Sequence, residues 1–326
     1  VLDGVTTSGG SGINAGTYTH TASGSDENYN LSFADGSLTI DKANATVTAN
    51  SNTVTYNGLA QSVTGFTATG LVNGETIDVL DGVTTSGGSG INVGSYVHIL
   101  SGTDENYNLS FVNGLLTIDK APLTVTASNA SKTYDGIAYS GGNGVTYAGF
   151  VNDETSSVLT GTLSYSGTSQ GAVNAGDYVI TPGGLTSGNY TFNFANGSLT
   201  IDKANVTVTA NSNTLTYDGL AQSVTGFTAT GLVNGETIDV LDGVTTSGGS
   251  GINAGTYTHT ASGSDENYNL SFADGSLTID KANATVTANS NTVTYNGLAQ
   301  SVTGFTATGL VNGETIDVLD GVTTSG

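Results

Sequence analysis

Three histidines, His20, His98 and His259, are the first residues to weigh for chemistry. Imidazole is the side chain whose ordinary pKa best suits proton transfer near neutral pH. All three occupy one position of an internal repeat, and a further repeat carries Ile180 there. A catalytic histidine needs a nucleophile or a carboxylate held beside it. The neighbours here are Thr, Val or Ile. The histidines read as packed structural residues, no catalytic residue is assigned, and no enzymatic activity is expected.

Carboxylates come next. Asp26-Glu27, Asp104-Glu105 and Asp265-Glu266 fall in one loop of the repeat, Glu75, Asp78 and Asp81 in another, and Asp119 between repeats. Oxygen ligands of this kind suit Ca²⁺. Yet there is no Asp-x-Asp/Asn-x-Asp/Asn-Gly loop and no Gly-Gly-x-Gly-x-Asp run. They read as solvated acidic loops, with an ordered calcium ion as the competing reading. No metal-ligating or cofactor-binding residue is assigned.

Lys42, Lys120, Lys203 and Lys281 each follow an aspartate. An isopeptide bond to asparagine is chemically open to them. The plainer account is a local Asp–Lys pair that limits bending, worth little at an exposed site. Asn-x-Ser/Thr triplets occur at Asn44, Asn108 and Asn205 and read as chance in a chain rich in Asn, Ser and Thr. Of the 15 Tyr and 9 Phe, Tyr107 and Phe111 share a face with Leu109 and read as core. A sugar-stacking platform would need exposed aromatics beside carboxylates.

Composition narrows the partners. Five basic residues, all lysine, stand against 27 acidic ones, for a net charge of −22. Nucleic acids and anionic membrane surfaces are recognised by Lys and Arg, so neither partner is expected. There is no Cys, Met or Trp. That excludes disulfides, zinc–thiolate sites and thiol chemistry, and it suits an extracellular setting.

The elements that carry these residues repeat. The lysines lie 78, 83 and 78 residues apart, and Val1–Gly87 recurs letter for letter at Val240–Gly326, 239 residues on. The chain is an array of super-repeats of three domains each. Residues 1–41 are the closing part of one domain, 42–119 a complete domain and 120–202 a complete but divergent one. Residues 203–280 form another complete domain, and 281–326 open the next. Both ends fall inside a domain, so the chain reads as a window on a longer polypeptide.

Each joint reads strand, short link, strand. In Gly114–Ala127, Leu116-Thr117-Ile118 and Leu123-Thr124-Val125-Thr126 alternate apolar and polar, the period of half-buried strands. Between them lies only Asp119-Lys120-Ala121. Further strands are expected at Thr46–Ala49, Val54–Tyr56, Ser62–Gly70, Ile77–Leu80, Ser95–Leu100, Tyr107–Phe111 and Leu115–Ile118. The same pattern puts a strand at Tyr29–Phe33. Thr84–Gly90 is expected as a loop and Ala34-Asp35-Gly36 as a hairpin turn. Val97, Ile99 and Leu115 become Thr258, Thr260 and Ser276 in the sister repeat, which marks a face that meets water.

No stretch of ten residues has a helical period. About seven short strands in about 80 residues suggest an all-β tandem array of small antiparallel, immunoglobulin-like β-sandwiches end to end. A β-grasp-like module is the alternative. Domains so small are marginal alone, and packing at the joints should support them in an elongated rod.

The order Thr-Val-Thr-Ala, Lys132-Thr-Tyr-Asp-Gly136, Gly-x-Tyr and Asn189-Tyr190, ending in Gly-Ser-Leu-Thr-Ile-Asp-Lys203-Ala, resembles the YDG and MBG repeats. Those occur in tandem in filamentous-haemagglutinin-like and other giant bacterial surface proteins. The resemblance covers the whole chain, with Tyr-Asp-Gly drifting to Tyr56-Asn57-Gly58. It implies a structural stalk of a bacterial cell-surface adhesin that supports adhesion or biofilm formation, with its ligand bound by regions outside this segment. Neighbouring repeats, and laterally other chains, are the expected partners. A multivalent glycan- or protein-binding module is the alternative.

Overall fold

The computed structural model describes residues 4–325. Two compact units divide the chain. One holds residues 4–126, 145–164 and 182–195, the other residues 127–144, 165–181 and 196–325.

Repeat 42–119 shows the architecture. A three-stranded sheet runs in the order Tyr107–Val112, Ala43–Ala49, Phe66–Thr69. A four-stranded sheet runs Asn52–Thr55, Gly114–Asp119, Gly94–Gly102, Val83–Gly87. A two-residue pair, Gln61–Ser62 with Ser89–Gly90, closes one side. Repeat 203–280 has the same sheets. Among the described residues there is no α-helix, only four three-residue 3₁₀ turns, so nothing plays the helix of a β-grasp fold. The protein is an all-β tandem array.

The ladders are mixed rather than wholly antiparallel, for a reason visible in the chain path. The opening segment passes from one sheet to the other across Asn50-Ser51, and the closing segment does so across Asn113. Both cross in the same direction, side by side. Ala43–Ala49 is therefore parallel to Tyr107–Val112, with Ala43 opposite Tyr107, and Asn52–Thr55 is parallel to Gly114–Asp119.

This crossing corrects the hairpin reading. Strands on either side of Asn113-Gly114 and Asp274-Gly275, the equivalents of Asp35-Gly36, belong to different sheets. The glycine is needed for close approach: a Cβ on Gly114 would lie 2.2 Å from the Asn50 carbonyl oxygen. His98 also serves the crossing. It is 1% exposed, and its Nδ1 lies 3.0 Å from the same oxygen. His259 does likewise at Asn211, 2.8 Å away.

Other expectations shift. Ile77–Val79 is a 3₁₀ turn that drives Leu80 into the core, not a strand. Ser62–Gly70 splits into Gln61–Ser62 and Phe66–Thr69, in different sheets. The expected Thr84–Gly90 loop is instead mostly strand, Val83–Gly87 and Ser89–Gly90, because the β-branched residues of the first pair along Gly94–Gly102. Tyr29–Phe33 is not a strand, since no described segment stands where Ala43–Ala49 stands for Tyr107–Val112.

Within the first unit, Ala45, Val47 and Ala49 alternate inward and meet Leu80, Leu100 and Tyr107. A second cluster joins two repeats. Leu116 and Ile118 of the closing strand pack with Ala121 and Leu123 of the next opening strand, together with Tyr56 and Tyr190. Leu116 and Leu123 are fully buried, each worth about 1.5–3 kcal/mol. The opposite face is wet: Val97, Ile99 and Leu115 are 48, 44 and 37% exposed.

The joint between repeats as the candidate functional site

The turn after the second strand ends in Tyr56-Asn57-Gly58. Its tyrosine is set by the ladder, because the Tyr56 N–H donates to the Asp119 carbonyl oxygen at 2.8 Å. The ring thereby points toward the following repeat. There the loop Val151-Asn152-Asp153-Glu154 turns back on itself, with Asn152 at φ 50° and Asp153 at φ 57°. Asparagine and aspartate tolerate this left-handed region better than other side chains.

Glu154 joins the two repeats. Tyr56 Oη donates to its Oε1 at 2.5 Å, and Tyr190 Oη donates to its Oε2 at 2.5 Å. The two rings meet edge to face at 5.6 Å, and Val151 N–H donates to Tyr190 Oη at 3.1 Å. Beside this clamp, Asn152 Nδ2 donates to the Gly58 carbonyl oxygen at 3.2 Å. Asn189 adds a second bridge: its Oδ1 accepts from Val93 N–H at 3.0 Å, and its Nδ2 donates to Asn92 Oδ1 at 3.0 Å.

The second unit repeats this arrangement. Tyr134 Oη donates to Glu236 Oε1 at 2.6 Å, and Tyr268 Oη donates to Oε2 of the same carboxylate. The rings cross at 5.3 Å and 83°. Asn234 Nδ2 donates to the Gly136 carbonyl oxygen at 3.2 Å, and Ala175 N–H donates to Asn267 Oδ1 at 2.9 Å. Farther along, Tyr217 donates to Glu314, and Asn312 Nδ2 to the Gly219 carbonyl oxygen at 3.0 Å.

Phenols that donate to a carboxylate lose acidity, because ionisation would place a second negative charge beside the first. Hydrogen bonding to Glu154, helped by burial, pushes Tyr56 up to about 12. Burial, then Glu236, does the same for Tyr268, to about 12. Tyr134 is raised further, chiefly by Glu236, and Tyr190 is raised chiefly by burial. At neutral pH these tyrosines are hydrogen-bond donors, not nucleophiles. Charge-assisted bonds of this kind are roughly twice as strong as neutral ones.

The residues singled out from sequence lie elsewhere or act differently. Asp104 Oδ1 accepts from the N–H groups of Asn106 at 2.7 Å and Tyr107 at 3.0 Å, which shapes the loop that presents Asn106. Glu75 Oε2 accepts a hydrogen bond from Tyr107 Oη. No three His, Asp or Glu side chains converge among the described residues. The joint lysines do not pair with the preceding aspartates. Lys42, Lys120 and Lys203 donate to the carbonyl oxygens of Asp104, Ser187 and Asp265 at 2.7, 2.8 and 2.7 Å. One ion pair occurs among the described residues, Lys132 with Asp135 at 2.6 Å. Asn44 and Asn108 sit side by side on neighbouring strands, 3.4 Å apart, and Asn205 faces Asn269 in the sister repeat.

The Tyr56–Glu154–Tyr190 group escapes a reading of one repeat at a time. The signal was present, because Tyr-x-Gly, Val-Asn-x-Glu and Asn-Tyr recur in divergent repeat 120–202 as Tyr134-Asp-Gly136, Val151-Asn-Asp-Glu154 and Asn189-Tyr190.

No curated protein matches the sequence. Among solved structures, Drosophila N-cadherin EC1-4 overlaps with TM-score 0.26 at 10% identity, covering 81% of this chain and 83% of that one. Sidekick-1 immunoglobulin domains 1–4 give 0.26 at 12% identity, covering 82% and 83%. Surface layer protein SbsC, domains 4–9, gives 0.22 at 12% identity, covering 92% of this chain and 59% of that one. At such TM-scores nothing is carried over from them. The family match is specific: residues 45–117, 123–200 and 206–278 each match the MBG domain (YGX type). Each matched copy contains one tyrosine–glycine turn of the joint, and the chain belongs to this MBG domain family as a tandem array of three.

Proposed function

We propose that the chain is a non-enzymatic segment of the stalk of a large bacterial cell-surface adhesin. It carries a binding region outside this segment away from the cell and so supports adhesion or biofilm formation. The observation that carries this reading is the clamp in which one glutamate binds tyrosines of two successive repeats, at Glu154 and again at Glu236. A stalk needs joints that resist bending, made many times from one part. The exposed outer faces and the lack of Cys, Met and Trp suit an oxidising extracellular medium.

A glycan-binding module would keep aromatics exposed beside carboxylates. Here Tyr56, Tyr107, Tyr134, Tyr190 and Tyr268 are at most 6% exposed, and their carboxylates are occupied. That favours the stalk over the binding module. Electron microscopy of the parent polypeptide is the test. Extended threads of beads support the proposal, and compact globules contradict it.

A further inference from the structure

One groove takes no part in the joints. It lies within repeat 120–202, has a volume of about 610 Å³ and is lined by Asn129, Ser131, Tyr139, Asn143, Ser198 and Thr200 among others. One side is a row across neighbouring strands, with Ser131 beside Thr200 and Thr200 beside Asp177. Strands in a sheet lie about 4.8 Å apart, so this polar row spans about 10 Å. Thr200 Oγ1 donates to Asp177 Oδ1 at 2.7 Å, which fixes both side chains. Another side is the loop of residues 140–144 that follows Tyr139.

That loop is held in place. Gln170 bonds Gly141 twice, its Nε2 donating to the Gly141 carbonyl oxygen and its Oε1 accepting from the Gly141 N–H, both at 2.8 Å. Asn143 Nδ2 donates to the Asn129 carbonyl oxygen at 2.9 Å, and Asn129 Oδ1 accepts from Ser198 N–H at 2.9 Å. Tyr139 is placed by its backbone: its N–H donates to the Ala172 carbonyl oxygen and its own carbonyl accepts from Gly171 N–H, both at 2.8 Å. Within this frame Asn129 Nδ2, Asn143 Oδ1, Ser131 Oγ, Ser198 Oγ and Tyr139 Oη have no protein partner among the described residues. They offer both donors and acceptors, and no charged side chain lines the groove.

The sister repeat is built differently here. Repeat 42–119 has Gln61 where this one has Tyr139 and Leu115 where it has Ser198, and its loop of residues 62–65 is one residue shorter. The divergent repeat therefore combines an aromatic ring, a longer loop and an added hydroxyl in one place.

We propose that this groove binds a neutral oligosaccharide and that the site belongs to the divergent repeat. Tyr139 gives an apolar ring to one face of a sugar and its hydroxyl to the sugar's edge. The free amide and hydroxyl groups pair with sugar hydroxyls, which also donate and accept. At the far end Asp177, which binds Thr200 through Oδ1, accepts from a further hydroxyl. Acidic sugars are disfavoured, because no cation lines the groove and the chain carries a charge of −22. The groove lies within one repeat, so the proposal stands apart from the stalk reading. The buried tyrosines that argue against sugar binding at the joints do not include Tyr139.

Saturation-transfer NMR of the 326-residue chain tests this, with maltotriose, cellotriose, mannotriose and chitotriose as neutral probes and sialyllactose as the acidic one. At least one neutral trisaccharide is expected to receive magnetisation, and sialyllactose none. Tyr139→Gln and Ser198→Leu install the residues of the sister repeat, so each variant keeps side chains that this fold already accommodates. Circular dichroism of both should match the parent chain, and each should weaken binding at least about tenfold. The proposal is overturned if no neutral trisaccharide binds, if binding survives both substitutions, or if sialyllactose binds best.

Discussion

Asn234 lies so close to Gly136 of the preceding repeat that a methyl group on Gly136 would sit 2.8 Å from the asparagine Cβ. Gly136 also has φ 68°, so the turn needs glycine twice over, for its own backbone and for its neighbour. Gly297 occupies the same turn at φ 76° with nothing within 4 Å of its would-be Cβ. The pair separates local strain from the joint. Gly297→Ala should cost about 1 kcal/mol from the left-handed backbone alone. Gly136→Ala should cost about 1–3 kcal/mol more, as overpacking does. Urea midpoints of the two variants measure the difference, and equal costs would mean that Asn234 yields freely.

Removing one hydroxyl probes the clamp. Tyr134→Phe leaves the ring but deprives Glu236 of one of its two phenol donors. A hydrogen bond to a charged group is worth about 1.5–3 kcal/mol, so a loss in that range is expected. Tyr295, 90% exposed, is the control, and Tyr295→Phe should change stability by less than about 0.5 kcal/mol. A double-mutant cycle of Tyr134→Phe with Glu236→Gln should show coupling, because the two side chains share a bond. Additive effects would show that the hydroxyl and the carboxylate act separately.

Alkali should loosen the joints. Tyr56 and Tyr268 are raised from 10.0 to about 12 on folding. A group raised in the folded state gives its full stabilisation below the unfolded value, and this is lost as pH climbs through the folded value. The denaturation midpoint should therefore hold to about pH 10 and fall between about 10 and 12. In Glu236→Gln the charge opposing phenolate is gone and the fall over that window should shrink. A fall of unchanged size in that variant would assign alkaline unfolding to general repulsion among the 27 acidic residues instead.

The period of the array and the inward faces of its strands were legible because both are local. Leu116, Ile118 and Leu123 alternate with threonine and are the residues buried at the joint. The threonine exchanges at Thr258 and Thr260 marked the exposed face for the same reason. What could not be read was partnership. Tyr56 meets Glu154 98 residues away, in a repeat of different sequence, and alternation names a face but not what covers it. Gly36 reads as a turn residue because Asp-Gly usually is one, whereas the work of the equivalent Gly114 is to let two crossing segments touch. Ile77–Leu80 reads as a strand from its apolar residues, yet it has no sheet edge to join and closes as a 3₁₀ turn.

The central claim is that a glutamate bound by tyrosines of two repeats fixes the angle between them. With no native cysteine, Thr67→Cys and Thr191→Cys place spin labels at exposed sites on either side of the Lys120 joint. Pulsed electron spin resonance should give one narrow distance distribution, which broadens when Glu154→Ala is added. A distribution already broad in the parent chain, or one that stays narrow without Glu154, contradicts the account.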